Sequence, residues 1–295
     1  MKYKKKIIIK IIEKFFKTKI DNIKKINNSK FIFYLKKKNS IIKICQDDFN
    51  YNLFLNEKKA YKYLNKKRLF LNIAKFNYLK KLNKLKILMI DFIKGRKVNY
   101  LNLKLLIKQN KNLLSYNQKI LMSEIEYVYK KNFKKIFISK LSSEFDKDFD
   151  NILKKYPKDV IKISPSHGDF THHNVIKSTN GSIYIIDFEY FSKQRIYIYD
   201  TLHWLISPIV NKLVLNCRIN FNLSYFLKKW VQLFFFFINF ELKEKDLDKY
   251  LLLYYLEQKY FFKITQKLKK EYNIFSVKTI TSSFKLSNYY SKLLN

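Results

Sequence analysis

This sequence is expected to fold as an α+β protein with two lobes: a small β-rich N-lobe and a larger, mainly helical C-lobe. Three observations lead there. Short β-branched and aromatic runs crowd the first 95 residues, with one helical stretch among them. From about residue 101 apolar residues recur mostly three and four apart, the spacing of helices packed on one side. Between those helices runs a polar, irregular stretch, Ser166 to Phe191, that holds three of the four His and two of the three Gly. We therefore divide the chain into 1–95 and 96–295, with a ligand site expected in the crevice between lobes.

The elements follow in order. "MKYKKKIIIKIIEKFFK" superficially resembles a secretory leader, but Lys10 and Glu13 interrupt its apolar run, and no small-residue cleavage site follows. It reads as an amphipathic helix. Phe31–Leu35 and Ile41–Cys45 flank the turn signal "KKKNS", which makes a β-hairpin. "YNLFLNEKKAYKYLNKK" has helical spacing over about 51–66, and two more short apolar runs follow at Leu71–Asn77 and Ile87–Phe92. "YLNLKLLIKQN", "NQKILMSEIEYVYKKNF" and "SSEFDKDFDNILKKY" read as helices, the last stopped by Pro157. "GSIYIIDF" is the clearest strand of the polar segment, and helices are expected over about 198–209, 222–242, 246–270 and 277–293.

The formal charge of +38 is dominated by Lys, because Arg occurs only at positions 68, 96, 195 and 218. Gripping phosphates or guanine edges favours the planar Arg fork. The excess of Lys, Asn, Ile, Phe and Tyr instead fits a coding sequence poor in G and C. No specific nucleic-acid partner is expected, while nonspecific contact with polyanions or a membrane surface stays open. "WVQLFFFFINF", Trp230 to Phe240, is too short to span a bilayer, which takes about 20 apolar residues. Cys45 and Cys217 belong to no CxxC, so free thiols in a reducing, cytoplasmic setting are expected.

The chemistry lies in the polar segment. Asp169 and Asn174 are five apart on a stretch broken by Gly168 and preceded by Pro165, and Asp187 ends the apolar strand thirteen residues after Asn174. Oxygen donors of this kind, here Asn174 and Asp187, suit Mg²⁺, which takes one or two carboxylates plus phosphate and water. Asp169 remains to orient a hydroxyl nucleophile or take its proton. Together these are the parts of phosphoryl transfer. Zinc fits poorly, because His172 and His173 are adjacent and no Cys stands near them.

Protein kinases carry H-R-D-x-x-x-x-N followed by D-F-G. Here the string is His167-Gly168-Asp169-x-x-x-x-Asn174, followed by Asp187-Phe188-Glu189. With "YDTLHWL" after it, this resembles the motif set of the aminoglycoside phosphotransferase and choline kinase-like small-molecule kinases, tightly over about 165–205. The resemblance implies a protein-kinase-like fold, ATP and Mg²⁺ as cofactors, and phosphate transfer to a hydroxyl of a small molecule. It implies that Lys43 contacts the nucleotide phosphates and is held by Glu57, and that Asp91 and Ile93 lie where adenine is bound. It also implies that His167 and Asp200 support the loop. Glu189 reads either as a further group near the metal or as an exposed carboxylate, and His203 as core packing.

No Gly-rich phosphate loop exists, because Gly95, Gly168 and Gly181 cannot form one. The loop over the phosphates then falls on "INNSK", around Asn27 to Ser29, where Asn tolerates the left-handed conformation. That departure leaves a catalytically silent kinase-fold scaffold standing as an alternative, and the net charge leaves a basic polyanion-binding protein. The acceptor is open among amino alcohols, sugars and cell-envelope precursors. Oligomeric state is not legible. A polycationic acceptor is disfavoured by the net charge unless Glu144, Asp146, Asp148 and Asp150 offset it.

Overall fold

The computed structural model describes residues 5–20, 22–25, 30–67, 72–82, 84–99, 102, 104–108, 117–137, 142–216, 223–238, 240, 242–271 and 277–294. The N-terminal lobe is built on an antiparallel sheet of β1 (Asn22–Lys25), β2 (Lys30–Leu35), β3 (Ser40–Cys45), β4 (Phe76–Leu82) and β5 (Leu85–Asp91), ordered β1-β2-β3-β5-β4. The expected hairpin is β2–β3, turning at Lys36–Lys38 with Asn39 left-handed at φ 45°. Alternation along the strands decides what each face does. Phe31, Phe33, Ile42, Ile44, Leu85, Ile87 and Met89 pack against Ile8, Ile12 and Phe16 of α1 (Lys5–Phe16), so the N-terminal helix covers the outer face. Lys30 and Lys43 therefore point to the opposite face, toward the rest of the molecule.

That inner face is crossed by α2 (Asp48–Lys67), whose start is capped by the Asp47 carboxylate accepting the Asn50 N–H at 2.7 Å. Phe49, Leu53, Tyr61 and Leu64 share its buried side with Glu57. The link to the second lobe is pinned at Gly95, which opens β6 (Gly95–Lys97) against β9 (Val175–Ser178). A Cβ at Gly95 would sit 2.3 Å from the Lys177 carbonyl oxygen, so only glycine allows this approach.

The larger lobe holds two small sheets. One is β6, β9 and β10 (Ile183–Ile185); the other is β7 (Gln118–Leu121), β8 (Val160–Ser166) and β11 (Ser192–Ile196). Around them pack α3 (Met122–Phe137), α4 (Ser143–Lys155), α5 (Tyr199–Asn216), α6 (Leu223–Phe237), α7 (Glu244–Glu271) and α8 (Val277–Leu294). Trp204, Tyr129, Phe145, Phe149, Tyr254 and Tyr290 form the aromatic centre of this core. No described helix is long and apolar enough to cross a membrane.

The structure corrects several element boundaries. The run expected at Leu71–Asn77 gives its strand later, at Phe76–Leu82, an edge strand whose lysines face solvent and dilute its apolar signal. Gln118–Leu121 is a strand rather than the start of a helix, because it pairs with β8, and Glu124 caps the helix that follows by accepting the Leu121 N–H at 2.7 Å. Helix α5 runs through Pro208 to Asn216 instead of ending near 209, and α6 stops at Phe237 rather than 242. Of "YLNLKLLIKQN", residues 104–108 are helical, and the other positions expected to be helical, Asn102 apart, lie outside the described residues, as do Asn27 to Ser29 and Cys217.

Candidate active site

The loop after β8 is held from below by one carboxylate. Asp200, in the first turn of α5, accepts the backbone N–H of His167 at 2.8 Å and of Gly168 at 3.1 Å, and the Ser166 hydroxyl at 2.8 Å. His167 braces the loop from inside. Its Nε2 donates to the Ile186 carbonyl at 2.8 Å while Nδ1 accepts the Asp169 N–H at 3.2 Å, which defines the Nε2–H tautomer. Gly168 has φ +86°, and a Cβ there would lie 2.2 Å from the Tyr190 carbonyl oxygen. Arg195 closes the underside, donating to Glu257 at 2.7 Å and Tyr190 O at 3.2 Å over the Tyr199 ring.

Asp169 emerges from this loop with its side chain 41% exposed, clamped at both oxygens. Asn174 Nδ2 donates to Oδ2 at 3.0 Å and also to the Asp169 carbonyl at 2.9 Å. His203 Nε2 meets Oδ1 at 3.1 Å, and its Nδ1 meets the Tyr254 hydroxyl at 3.1 Å. His203 is buried against the Tyr199 and Tyr254 rings, as its reading as core packing expects, and its imidazole also reaches Asp169 at the edge of a cavity.

Lys43 is the hub of the second cluster. Its buried ammonium bonds Glu57 at 2.8 and 3.0 Å, Asp187 Oδ1 at 2.6 Å and Glu189 Oε1 at 3.3 Å. Lys30 pairs with the same Glu189 oxygen. Glu189 is buried, so its reading as an exposed carboxylate is excluded. Burial alone would lower the Lys43 pKa, but Asp187, Glu57 and Glu189 more than reverse this and hold it well above its usual value. Burial pushes Glu57 up to about 7 against the pull of Lys43, with Asp187 and Glu189 adding to the rise. Asp187 goes the other way: burial would raise it, but Lys43 and Lys30 hold it well below the usual carboxylate range. Its side chain remains 37% exposed, on a backbone at φ +70°.

With Glu57 ionised, three carboxylates against two ammoniums leave this cluster one negative charge in excess, a donor set that fits a divalent cation. Among the described residues, Glu57, Asp187 and Glu189 are the one group of three or more His, Cys, Asp and Glu close enough to share an ion. No zinc-like group of His forms: His172 and His173 instead lie ring to ring at 3.8 Å. Asn174 and Asp187 sit on adjoining strands of backbone, joined by Ile186 N–H to Asn174 O at 3.0 Å. Because both polar contacts of its Nδ2 go to Asp169, Asn174 keeps its Oδ1 for another partner.

Asp91 and Ile93 lie at the end of β5 and in the link between lobes, and no described bond joins them to the Lys43 cluster. The Asp91 carboxylate accepts from Asn77 at 2.9 Å, and the Phe92 N–H donates to Asn39 O at 2.8 Å. The acidic run is not at the site. Asp148 pairs with Lys259 at 2.6 Å, Asp146 with Lys130 at 3.0 Å, and Glu144 with Lys263.

Beside Asp169 opens a cavity of about 340 Å³. Tyr199, His203, Ser207 and Asn211 line it from α5, Gln258, Phe261, Phe262 and Thr265 from α7, and Lys30 and Glu189 from the Lys43 side. Sequence reasoning missed Lys30 and the groups of α5 and α7 that line this cavity. The available signal was spacing: His203 lies three residues after Asp200, on the same helix face.

No protein-family model matches the sequence, and no curated protein matches it significantly. Solved structures do match over nearly the whole chain. Choline kinase LicA from Streptococcus pneumoniae is 14% identical and aligns over 97% of this chain and 98% of its own, with a TM-score of 0.61. The GDP complex of an aminoglycoside 2'-phosphotransferase-IIIa variant is 10% identical over 98% of both chains, at 0.59. Spectinomycin phosphotransferase APH(9)-Ia, with ADP and spectinomycin bound, is 13% identical over 100% of this chain and 98% of its own, at 0.54. At these identities the likeness is one of fold. The chain has the two-lobed, protein-kinase-like fold of the aminoglycoside phosphotransferases and choline kinases.

Proposed function

We propose that this protein is a Mg²⁺- and ATP-dependent phosphotransferase that moves the γ-phosphate to a hydroxyl of a small molecule. The observation that carries the reading is that two clusters reach one cavity: Asp169, clamped by Asn174 and His203, and the Lys43 cluster of Glu57, Asp187 and Glu189, whose Lys30 and Glu189 line the same cavity. The nucleotides bound by structural neighbours, ADP and GDP, support the nucleotide side. The cavity beside Asp169 supports an acceptor of modest size.

In this reading Lys43 binds the nucleotide phosphates, oriented by Glu57, and the link carrying Asp91 and Ile93 lies along the base. A Mg²⁺ ion held by Asn174 Oδ1 and Asp187 would neutralise charge on the phosphates. Asp169 orients the acceptor hydroxyl and takes its proton as the acceptor oxygen bonds Pγ and the bond from Pγ to the ADP oxygen breaks. Asn174 and His203 fix the carboxylate rotamer, while His167 and Asp200 hold the loop, with no part in bond making. Glu189 sets the position of Lys43 and Lys30. ATP use and the free, buried Cys45 fit the cytoplasm.

Two variants test the division of roles. Asp169→Asn keeps MgATP affinity within about threefold and lowers turnover by at least about a thousandfold. Asp187→Ala loses the Mg²⁺ dependence of nucleotide binding in calorimetry. Full activity in either variant would remove the assignment.

A further inference from the structure

Helix α6 is apolar on two opposite sides. Leu227, Val231, Phe234 and Phe235 face the core. Tyr225, Phe226, Leu233, Phe236 and Phe237 face outward and are 42% to 76% exposed. At the helical advance of about 100° per residue, these five and Lys229 fall within an arc of roughly 120°. Five of the nine exposed large apolar side chains among the described residues therefore form one patch rather than a scatter. The helix cannot simply roll this face inward, because Lys228 ties it to Glu244 at 2.8 Å and Asp248 at 2.9 Å near the start of α7.

We propose that the outer face of α6 docks on the surface of an anionic membrane, lying in the headgroup region without crossing it. Charge selects this occupant. The protein carries a formal +38, which an anionic lipid surface attracts, whereas a second copy would bring the same +38 and repel. Lys229 sits inside the patch, its ammonium 5.6 Å from the Tyr225 ring centre, placed to snorkel toward lipid headgroups while the rings enter the acyl boundary. The fifteen residues of α6 reach about 22 Å, short of the roughly 30 Å hydrocarbon core, which leaves it an interfacial role. This inference stands apart from the phosphotransferase reading.

Because a cationic protein adheres electrostatically to any anionic surface, the test must separate rings from charge. The full chain is sedimented with phosphatidylcholine vesicles, with and without about one-third phosphatidylglycerol. The measurement is made at low salt and at about 0.5 M salt, where the Debye length is roughly 4 Å. The wild type binds the phosphatidylglycerol vesicles and stays partly bound at high salt. Phe236→Ser with Phe237→Ser leaves the melting temperature and low-salt binding unchanged and lowers high-salt partitioning at least about tenfold. Complete release of the wild type by salt overturns the proposal, as does equal high-salt binding by the double variant. So does a wild-type dimer that the double variant splits, since the covering surface would then be a second copy.

Discussion

Lys43 and Glu57 form a pair whose strength should depend on pH. Glu57 deprotonates near 7 in the buried cluster, so above that value it is a carboxylate that holds Lys43, and below it a neutral acid that does not. The free protein's kcat/KM for MgATP should therefore fall as pH drops through about 7. In Glu57→Gln that acid limb disappears, and kcat/KM is lower by about tenfold at high pH, as for loss of a group that orients a ligand. A pH profile of both proteins checks this, and an identical limb in the variant would place the titration elsewhere. At this scale much was legible. Asp169, Asn174 and Asp187 stood out because rare residue types mark them, and Lys43 and Glu57 because strand and helix follow in the right order. Lys30 was hidden among many lysines. Only the register of β2 against β3, with Lys30 opposite Cys45 and Ile32 opposite Lys43, turns it to the same face as Lys43.

The loop after β8 is an element assembled from its supports. Asp200 satisfies three donors from consecutive residues, and Gly168 fills a place where backbone from Tyr190 leaves no room for a side chain. Gly168→Ala must relieve both a positive φ and a backbone clash. It should lose at least about 1–3 kcal/mol in thermal or urea unfolding, together with turnover. Asp200→Ala strands three buried donors and should lose a similar or larger amount. The helices were readable where one face alone is apolar, as in α2 and α7. Strands β4, β7 and β11 were not: each lies at a sheet edge, and β7 and β11 depend on a partner, β8, far from them along the chain. The expected end of α5 near 209 is overridden by packing, since the helix runs through Pro208 with Trp204, Leu205 and Ile206 buried just before it.

For the whole molecule, the crevice between lobes should couple ligand binding to stability. MgATP at a hundred times its Kd should stabilise the fold by about 2.7 kcal/mol, read as a rise in melting temperature that EDTA abolishes. Polyanions such as RNA should also bind, but with affinity that collapses as salt rises and without regard to MgATP. Equal protection by RNA and by MgATP at moderate salt would favour a basic binding protein over a kinase. Phosphorus NMR of MgATP with a mixture of amino alcohols, sugars and polyols follows the γ-phosphate itself. Wild type should produce a new phosphomonoester resonance as ADP appears, and Asp169→Asn should produce none. Formation of the same phosphomonoester at the same rate by Asp169→Asn would contradict the role given to this loop, and wild-type protein that neither binds MgATP nor transfers phosphate would contradict the reaction.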